Sequence, residues 1–142
     1  MSSERSKALT YKYTDWNDID VQYIFAKLFD VEIEFDKINT EWIVAYQNGA
    51  AIALAGLSKC SKTVGHLELA GVLSCAQGQG IQKRLIRLRE RLARKRGYTK
   101  LITYTAHWNV ASSNSLMSCG YKMYRPLYAW GGKEFVYWWK NI

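Results

Sequence analysis

Val72-Leu73-Ser74-Cys75-Ala76-Gln77-Gly78-Gln79-Gly80-Ile81-Gln82-Lys83-Arg84-Leu85 decides how this chain is read. A largely apolar run from Val64 to Leu73 predicts a strand, and it ends in a segment holding two glycines. Beyond them Ile81, Leu85, Leu88 and Leu92 are spaced 4, 3 and 4, an apolar stripe on one helix face. The spacing predicts a long helix from about Gly80 to Arg96, and Gly97 stands where a helix-terminating glycine belongs. The order is therefore strand, glycine turn, helix. Glycines allow positive φ and close approach of backbone to a ligand. The first helical turn leaves N–H groups unpaired, with the positive dipole end behind them. Together these form a cradle for a pyrophosphate, and Lys83 and Arg84 add full charges. A P-loop would need Lys-Ser/Thr after the second glycine, where Ile81-Gln82 stands. A dinucleotide fingerprint would need a glycine in place of Lys83.

Upstream of this stretch, Asn48-Gly49 separates Glu41–Tyr46 from Ala50–Leu57, the strongest hairpin signal in the chain. A helix is expected to start near Asp15 as N-cap, with Trp16, Ile19, Tyr23 and Ala26 at helical spacing. Residues 31–40 read as a loop or short extra helix. Downstream, Lys100 to Thr105 reads as a strand and Asn109 to Cys119 as a short helix closed by Gly120. Two last strands, about Lys122–Tyr128 and Lys133–Lys140, flank Gly131-Gly132. This order predicts a mixed α/β layer fold.

The 142 residues suit one domain, and 49% hydrophobic residues exclude a disordered chain. No run of 18 apolar residues is present and the first residues lack a signal-peptide apolar core, so neither a membrane span nor a leader is expected. Cys60, Cys75 and Cys119 show no CxxC spacing, and His66 and His107 are the only histidines; no metal site is expected, and a reduced, cytoplasmic protein is. Cys75 and Cys119 read as small packing residues. The charge is uneven: residues 1–76 hold 7 basic and 10 acidic side chains, residues 77–142 hold 13 and 2. A positive C-terminal half calls for an anionic partner, whether nucleic acid, a phosphorylated ligand or a polyphosphate cofactor.

The central stretch resembles the acetyl-CoA motif of the GNAT family of N-acetyltransferases, V-x-P-x-x-Q/R-x-x-G-x-G/A. Val72, Gln77 and Gly80 match; Ser74 replaces the proline and Gln82 the final small residue. A second match follows at the family's spacing: Asn109 and Ser112, then Gly120-Tyr121 eleven residues after the asparagine. The resemblance covers roughly residues 10–140. It implies a single domain over 1–142 and a mixed, mostly antiparallel central sheet of about six to seven strands flanked by helices. The implied activity is transfer of an acetyl group from acetyl-CoA to a primary amine by direct attack in a ternary complex. A small-molecule or peptide acceptor is implied, no membrane partner is expected, and a homodimer is left open.

By resemblance, the backbone of Ala70, Gly71 and Val72 holds the pantetheine arm, and the amides of Gly78, Gln79, Gly80, Ile81, Gln82 and Lys83 hold the pyrophosphate. Asn109 bonds the cofactor arm or a water, beside an equally ordinary role as helix N-cap. Glu68 and His66 share a strand face with Ala70 and Val72 and are the candidate bases. The tyrosine acid that many members carry seven residues after the asparagine is Leu116 here. Tyr121, Tyr124 and Tyr104 are the available substitutes. In Tyr137-Trp138-Trp139 one tryptophan is expected in the core and the other beside the acceptor. Two other functions stay open: a non-catalytic acyl-CoA-binding module, and a small nucleic-acid-binding protein using the arginine-rich helix. The second is not expected, because a phosphate-bearing cofactor already accounts for the first few cations.

Overall fold

Seven strands are hydrogen-bonded in the order β1-β2-β3-β4-β5-β7-β6: β1 Leu9–Thr14, β2 Glu41–Gln47, β3 Ala50–Lys59, β4 Val64–Val72, β5 Lys100–Ala106, β6 Lys122–Tyr124 and β7 Phe135–Asn141. Three helices are interleaved with them: α1 Ile19–Leu28, α2 Ile81–Lys95 and α3 Val110–Ser118. This computed structural model describes residues 8–29 and 39–142, so most of the segment 31–40 lies outside the described residues. β1–β2, β2–β3, β5–β7 and β6–β7 are antiparallel, while β4–β5 is parallel. A parallel neighbour needs a crossover, and α2 supplies it. The expected mixed, mostly antiparallel sheet of about six to seven strands forms with seven.

Two compact units divide the chain, Met1–Ser58 with Glu68–Ile81, and Lys59–Leu67 with Gln82–Ile142. In the first, Asn48 (φ 53) and Gly49 (φ 82) make the tight turn that brings Gln47 opposite Ala50. Val21, Ile24 and Phe25 of α1 pack with Trp42, Val44 and Leu54, and the Phe25 and Trp42 rings meet edge-on at 6.0 Å. β1 escaped the sequence reading although Leu9, Tyr11 and Tyr13 alternate with Thr10, Lys12 and Thr14; the strand stays half exposed. The N-cap of α1 is Asp18, not Asp15. Asp15 instead accepts from the Asn17 amide in a turn just before the helix, while Asp18 accepts from the Asp20 amide. Both aspartates suit either role.

In the second unit, Leu85, Ile86, Leu88, Leu92 and Ala93 are buried along α2, and Leu67, Leu101 and Trp138 are buried in the strands. Gly65 is needed where it stands, since a Cβ there would lie 2.6 Å from the Tyr98 ring. Glu90 is fully buried on α2. It is paired with Arg87 at 3.2 Å and with Lys140 at 2.9 Å, and it accepts from the Tyr121 hydroxyl at 2.9 Å.

The Asp18 cap carries a pH signature. The hydrogen bond from Lys12, 2.8 Å away, does most to hold its carboxyl below the ordinary value; desolvation opposes this, and the Asp20 amide and Thr14 hydroxyl add to it. A carboxyl depressed by folding stabilises the protein above its unfolded value, about 3.9, and that contribution disappears as pH falls through the lower folded value. Asp18→Ala should cost about 1 kcal/mol at pH 7. Asp18→Asn keeps the cap and loses only the charge-dependent part. In urea unfolding the gap between wild type and Asp18→Asn should be present at pH 7 and shrink below pH ~4; a gap that is constant with pH would remove the Lys12 pair as its source.

Candidate active site

In the first unit, the strand that leads into the glycine turn is held from behind. The Leu73 amide donates to Ile52 at 2.9 Å, and a single 3-10 turn, Ser74–Ala76, follows. Glutamine side chains then pin the loop. Gln77 Nε2 donates to the Val72 carbonyl at 3.2 Å, Gln79 Nε2 donates to the Ala76 carbonyl at 2.9 Å, and Gln47 Nε2 donates to Gln79 Oε1 at 3.0 Å. Gly78 (φ 81) and Gly80 (φ 74) both lie in the left-handed region, which disfavours any other residue. At both positions no atom of the described residues, chain neighbours aside, lies within 4 Å of where a Cβ would stand. The backbone is therefore bare on that side as it runs into the first turn of α2, where the amides have no intrahelical acceptors. Cys75, expected to pack, is exposed in this turn.

Glu68 lies in the same unit, half-buried on β4, and accepts from the Ser58 hydroxyl at 2.7 Å. Gly56 leaves the room for it: a Cβ there would stand 3.0 Å from Glu68 Cβ and 2.9 Å from the Trp42 ring. Ala70, Gly71 and Val72 continue the strand. The ladder between β4 and β5 runs Val64–His66 against Lys100–Ile102. The first unit thus carries Glu68, Ala70, Gly71, Val72, Gly78, Gln79, Gly80 and Ile81, and the second carries His66, Gln82, Lys83 and Asn109.

In the second unit, Gln82 explains its departure from the family pattern. Its Nε2 donates to Ser112 Oγ at 2.8 Å, tying the first turn of α2 to the first turn of α3. Asn109 is the N-cap of α3: its Oδ1 accepts from the Ser112 amide at 3.1 Å. Leu116 is buried, so a tyrosine would not be accommodated there without overpacking. Tyr121 is no substitute acid. Burial, and then the Glu90 charge it bonds, push its hydroxyl far above the ordinary value.

His66 belongs to a cluster of rings that the sequence reading did not assemble. It stacks on Tyr104 at 5.8 Å and meets Trp130 edge-on at 5.2 Å. Tyr104 and Tyr137 are direct cross-strand partners. Gly131 lies so close over the Tyr104 ring that a Cβ would stand 2.5 Å from it. The Tyr137 hydroxyl accepts from the Gly131 amide at 2.9 Å and donates to the Gly132 carbonyl at 2.6 Å, fastening the β6–β7 connection to the sheet. Trp130 Nε1 donates to the Tyr124 hydroxyl at 3.2 Å. The aromatic alternation Phe135, Tyr137, Trp139 and the Gly131-Gly132 pair were the signals available. Trp138 is the core tryptophan, its Nε1 donating to Thr105 Oγ1 at 2.9 Å, and Trp139 lies half-buried with Lys100 and Lys122 over its ring.

Known proteins share this fold. No curated protein sequence matches the chain. Among solved structures, IAA acetyltransferase from Bacillus cereus ATCC 14579 aligns over 95% of this chain and 100% of its own, with TM-score 0.81 and 17% identity. A GNAT family acetyltransferase from Elizabethkingia anophelis with acetyl-CoA bound aligns over 94% and 98%, with TM-score 0.76 and 14% identity. The ribosomal-protein-S18-alanine N-acetyltransferase from Escherichia coli aligns over 95% and 94%, with TM-score 0.72 and 18% identity. These identities speak for the fold. The family model of the acetyltransferase (GNAT) family matches residues 5–121, most of the sequence, and the chain belongs to that family.

Proposed function

We propose that the whole chain acts as one acetyl-CoA-dependent N-acetyltransferase domain whose acceptor is the primary amine of a small molecule or peptide. The observation that carries this reading is the turn before α2. Gly78 and Gly80 hold positive φ with open space at their Cβ positions, ahead of a helix start flanked by Lys83 and Arg84. That arrangement fits a pyrophosphate, which needs bare amides and a positive dipole end. The amides from Gly78 to Lys83 would bind it, and the backbone of Ala70, Gly71 and Val72 would extend along the pantetheine arm. Asn109 already spends its oxygen on the α3 cap, so its Nδ2 is the group left to donate to a ligand.

Bound acetyl-CoA supplies the activated thioester. The neutral amine attacks the carbonyl carbon directly; the C–N bond forms, the C–S bond breaks, and CoA leaves as the thiolate. The Val72 amide or its neighbour would donate to the developing oxyanion. Glu68 would take the ammonium proton, directly or through water, with Ser58 fixing its carboxylate; His66 is the alternative base. Holding both reactants together is the main contribution. With Leu116 buried and Tyr121 committed to Glu90, no tyrosine acid is assigned, and the thiolate would be stabilised by the N-terminal end of α3. The same two residues are what favours the second reading, an acyl-CoA-binding module without turnover. The three cysteines are free, in keeping with a reduced cytoplasmic setting as part of the proposal.

CoA should raise the melting temperature by mass action. Gly80→Glu should abolish that rise, because a carboxylate would enter the phosphate cradle, while Gly80→Ala carries the same backbone strain without the charge and controls for misfolding. Undiminished CoA binding by a folded Gly80→Glu protein would refute the cradle.

Glu68→Gln should leave CoA binding nearly unchanged and lower kcat toward an amine panel by about 10²–10⁴-fold. Full activity of this variant across pH 6–9 would remove Glu68 from the reaction and leave His66 as the base to test. CoA binding with no transfer to any amine by the wild-type protein would favour the non-catalytic module.

A further inference from the structure

The second unit carries far more positive charge than one pyrophosphate requires. Its residues include 15 Lys and Arg against two acids, Glu90 and Glu134; the remaining residues of the chain hold 5 and 10. Much of this charge stands on one element. Lys83, Arg84, Arg87, Arg91, Arg94 and Lys95 are all exposed on α2, and their spacing of three and four puts them on one face. The helix's single acid, Glu90, is turned inward and engaged by Arg87, Tyr121 and Lys140, so it does not dilute that face. Among the described residues Arg91, Arg94 and Lys95 have no acidic partner.

Simpler accounts cover single positions of this row but not its continuity. A pyrophosphate at the start of α2 uses Lys83 and Arg84, but Arg91 to Lys95 stand roughly 12–18 Å further along the axis. The helix dipole favours cations in the last turn, which accounts for Arg94 and Lys95, and Glu90 engages Arg87, but neither accounts for Arg91. Lys83–Arg87, Arg87–Arg91 and Arg91–Lys95 are moreover like-charge pairs four residues apart, each of them destabilising. The geometry therefore points to a second anion-binding function. We infer that the outward face of α2 is a docking surface for the phosphodiester backbone of a nucleic acid. The face is straight and evenly charged over about 18 Å, which spans roughly five phosphates at ~3.4 Å per strand. A membrane fits it poorly, because the apolar residues Ile81, Leu85, Leu88 and Leu92 are all buried and none is left to enter a bilayer. Arginine forks bind phosphate oxygens in pairs.

The test is fluorescence anisotropy of labelled 20-nucleotide RNA and DNA, single-stranded and duplex, from 50 to 300 mM salt with saturating CoA. The wild-type protein is compared with Arg91→Gln/Arg94→Gln/Lys95→Gln, three exposed positions outside the proposed cofactor and catalytic residues. The wild type should bind, with log K falling linearly against log salt. The triple variant should bind at least ten-fold more weakly at 50 mM salt, with the slope reduced by about 2–3. Its melting temperature and CoA-induced shift should match the wild type, which separates failure of this surface from failure of the cofactor site. Preference for RNA or for DNA would identify the polymer; equal binding would make the shared backbone the ligand. The inference is overturned by absence of wild-type binding at 50 mM salt, or by unchanged binding and slope in the variant. Equal competition by polyglutamate of matched charge, or by phosphatidylserine vesicles, would also overturn it.

Discussion

Glu90 is the carboxylate on which the second unit is organised. Arg87 reaches it from one turn earlier on α2, Tyr121 from just after α3, and Lys140 from β7, so three separate pieces of chain meet on two oxygens. Lys140 also donates to the Cys119 carbonyl at 2.8 Å, closing the C-terminal end of α3. Leaving such a cluster with one charge unpartnered costs about 3–5 kcal/mol, a large share of the 5–15 kcal/mol by which a domain is ordinarily stable. The constraint fixes the rotation of α2 about its own axis. With Glu90 and the Leu85–Leu92 stripe turned inward, Lys83, Arg84, Arg87, Arg91, Arg94 and Lys95 are left exposed, while Arg89 is buried and donates to the Leu85 carbonyl.

That rotation explains how this chain departs from its family's sequence pattern without losing the arrangement. Where the pattern has a small residue, Gln82 reaches Ser112 and links the starts of two helices. Where many members carry a tyrosine, Leu116 fills space beneath α3. Tyr121 serves Glu90 and is unavailable for proton transfer. The turn itself stays conventional, because positive φ at Gly78 and Gly80 is a backbone requirement that side-chain changes elsewhere do not relax.

What the sequence made legible was governed by local rules. Asn48-Gly49 specifies a tight hairpin turn through its own φ preferences. The 4-3-4 stripe of α2 and Asn109 as cap needed no knowledge of distant residues. The misreadings came from competition or distance. Asp15 and Asp18 are both competent caps, and the choice fell to Asp18, which Lys12 and Thr14 on β1 hold in place. Glu90 sits in a run of arginines, and nothing local reveals that it points inward to residues 31 and 50 positions away. The cluster of His66, Tyr104, Trp130 and Tyr137 joins β4, β5, the β6–β7 connection and β7, a meeting set by topology alone.

One helix can serve two anions because it would hold them by different physics. At its first turn, backbone amides and the dipole would act over hydrogen-bond distances on the proposed pyrophosphate, with open space beside Gly78 and Gly80 for its approach. Such contacts depend on geometry and lose little to screening at close range. Along its outward face, flexible Lys and Arg side chains project into solvent, where attraction acts at longer range and fades over roughly 8–10 Å at ordinary ionic strength. A substitution at the turn should therefore act on cofactor affinity at every salt concentration. A substitution on the outward face should act on a polyanion and mostly at low salt. The two kinds of contact are separable because they draw on different groups, backbone amides at the turn and exposed side chains along the helix.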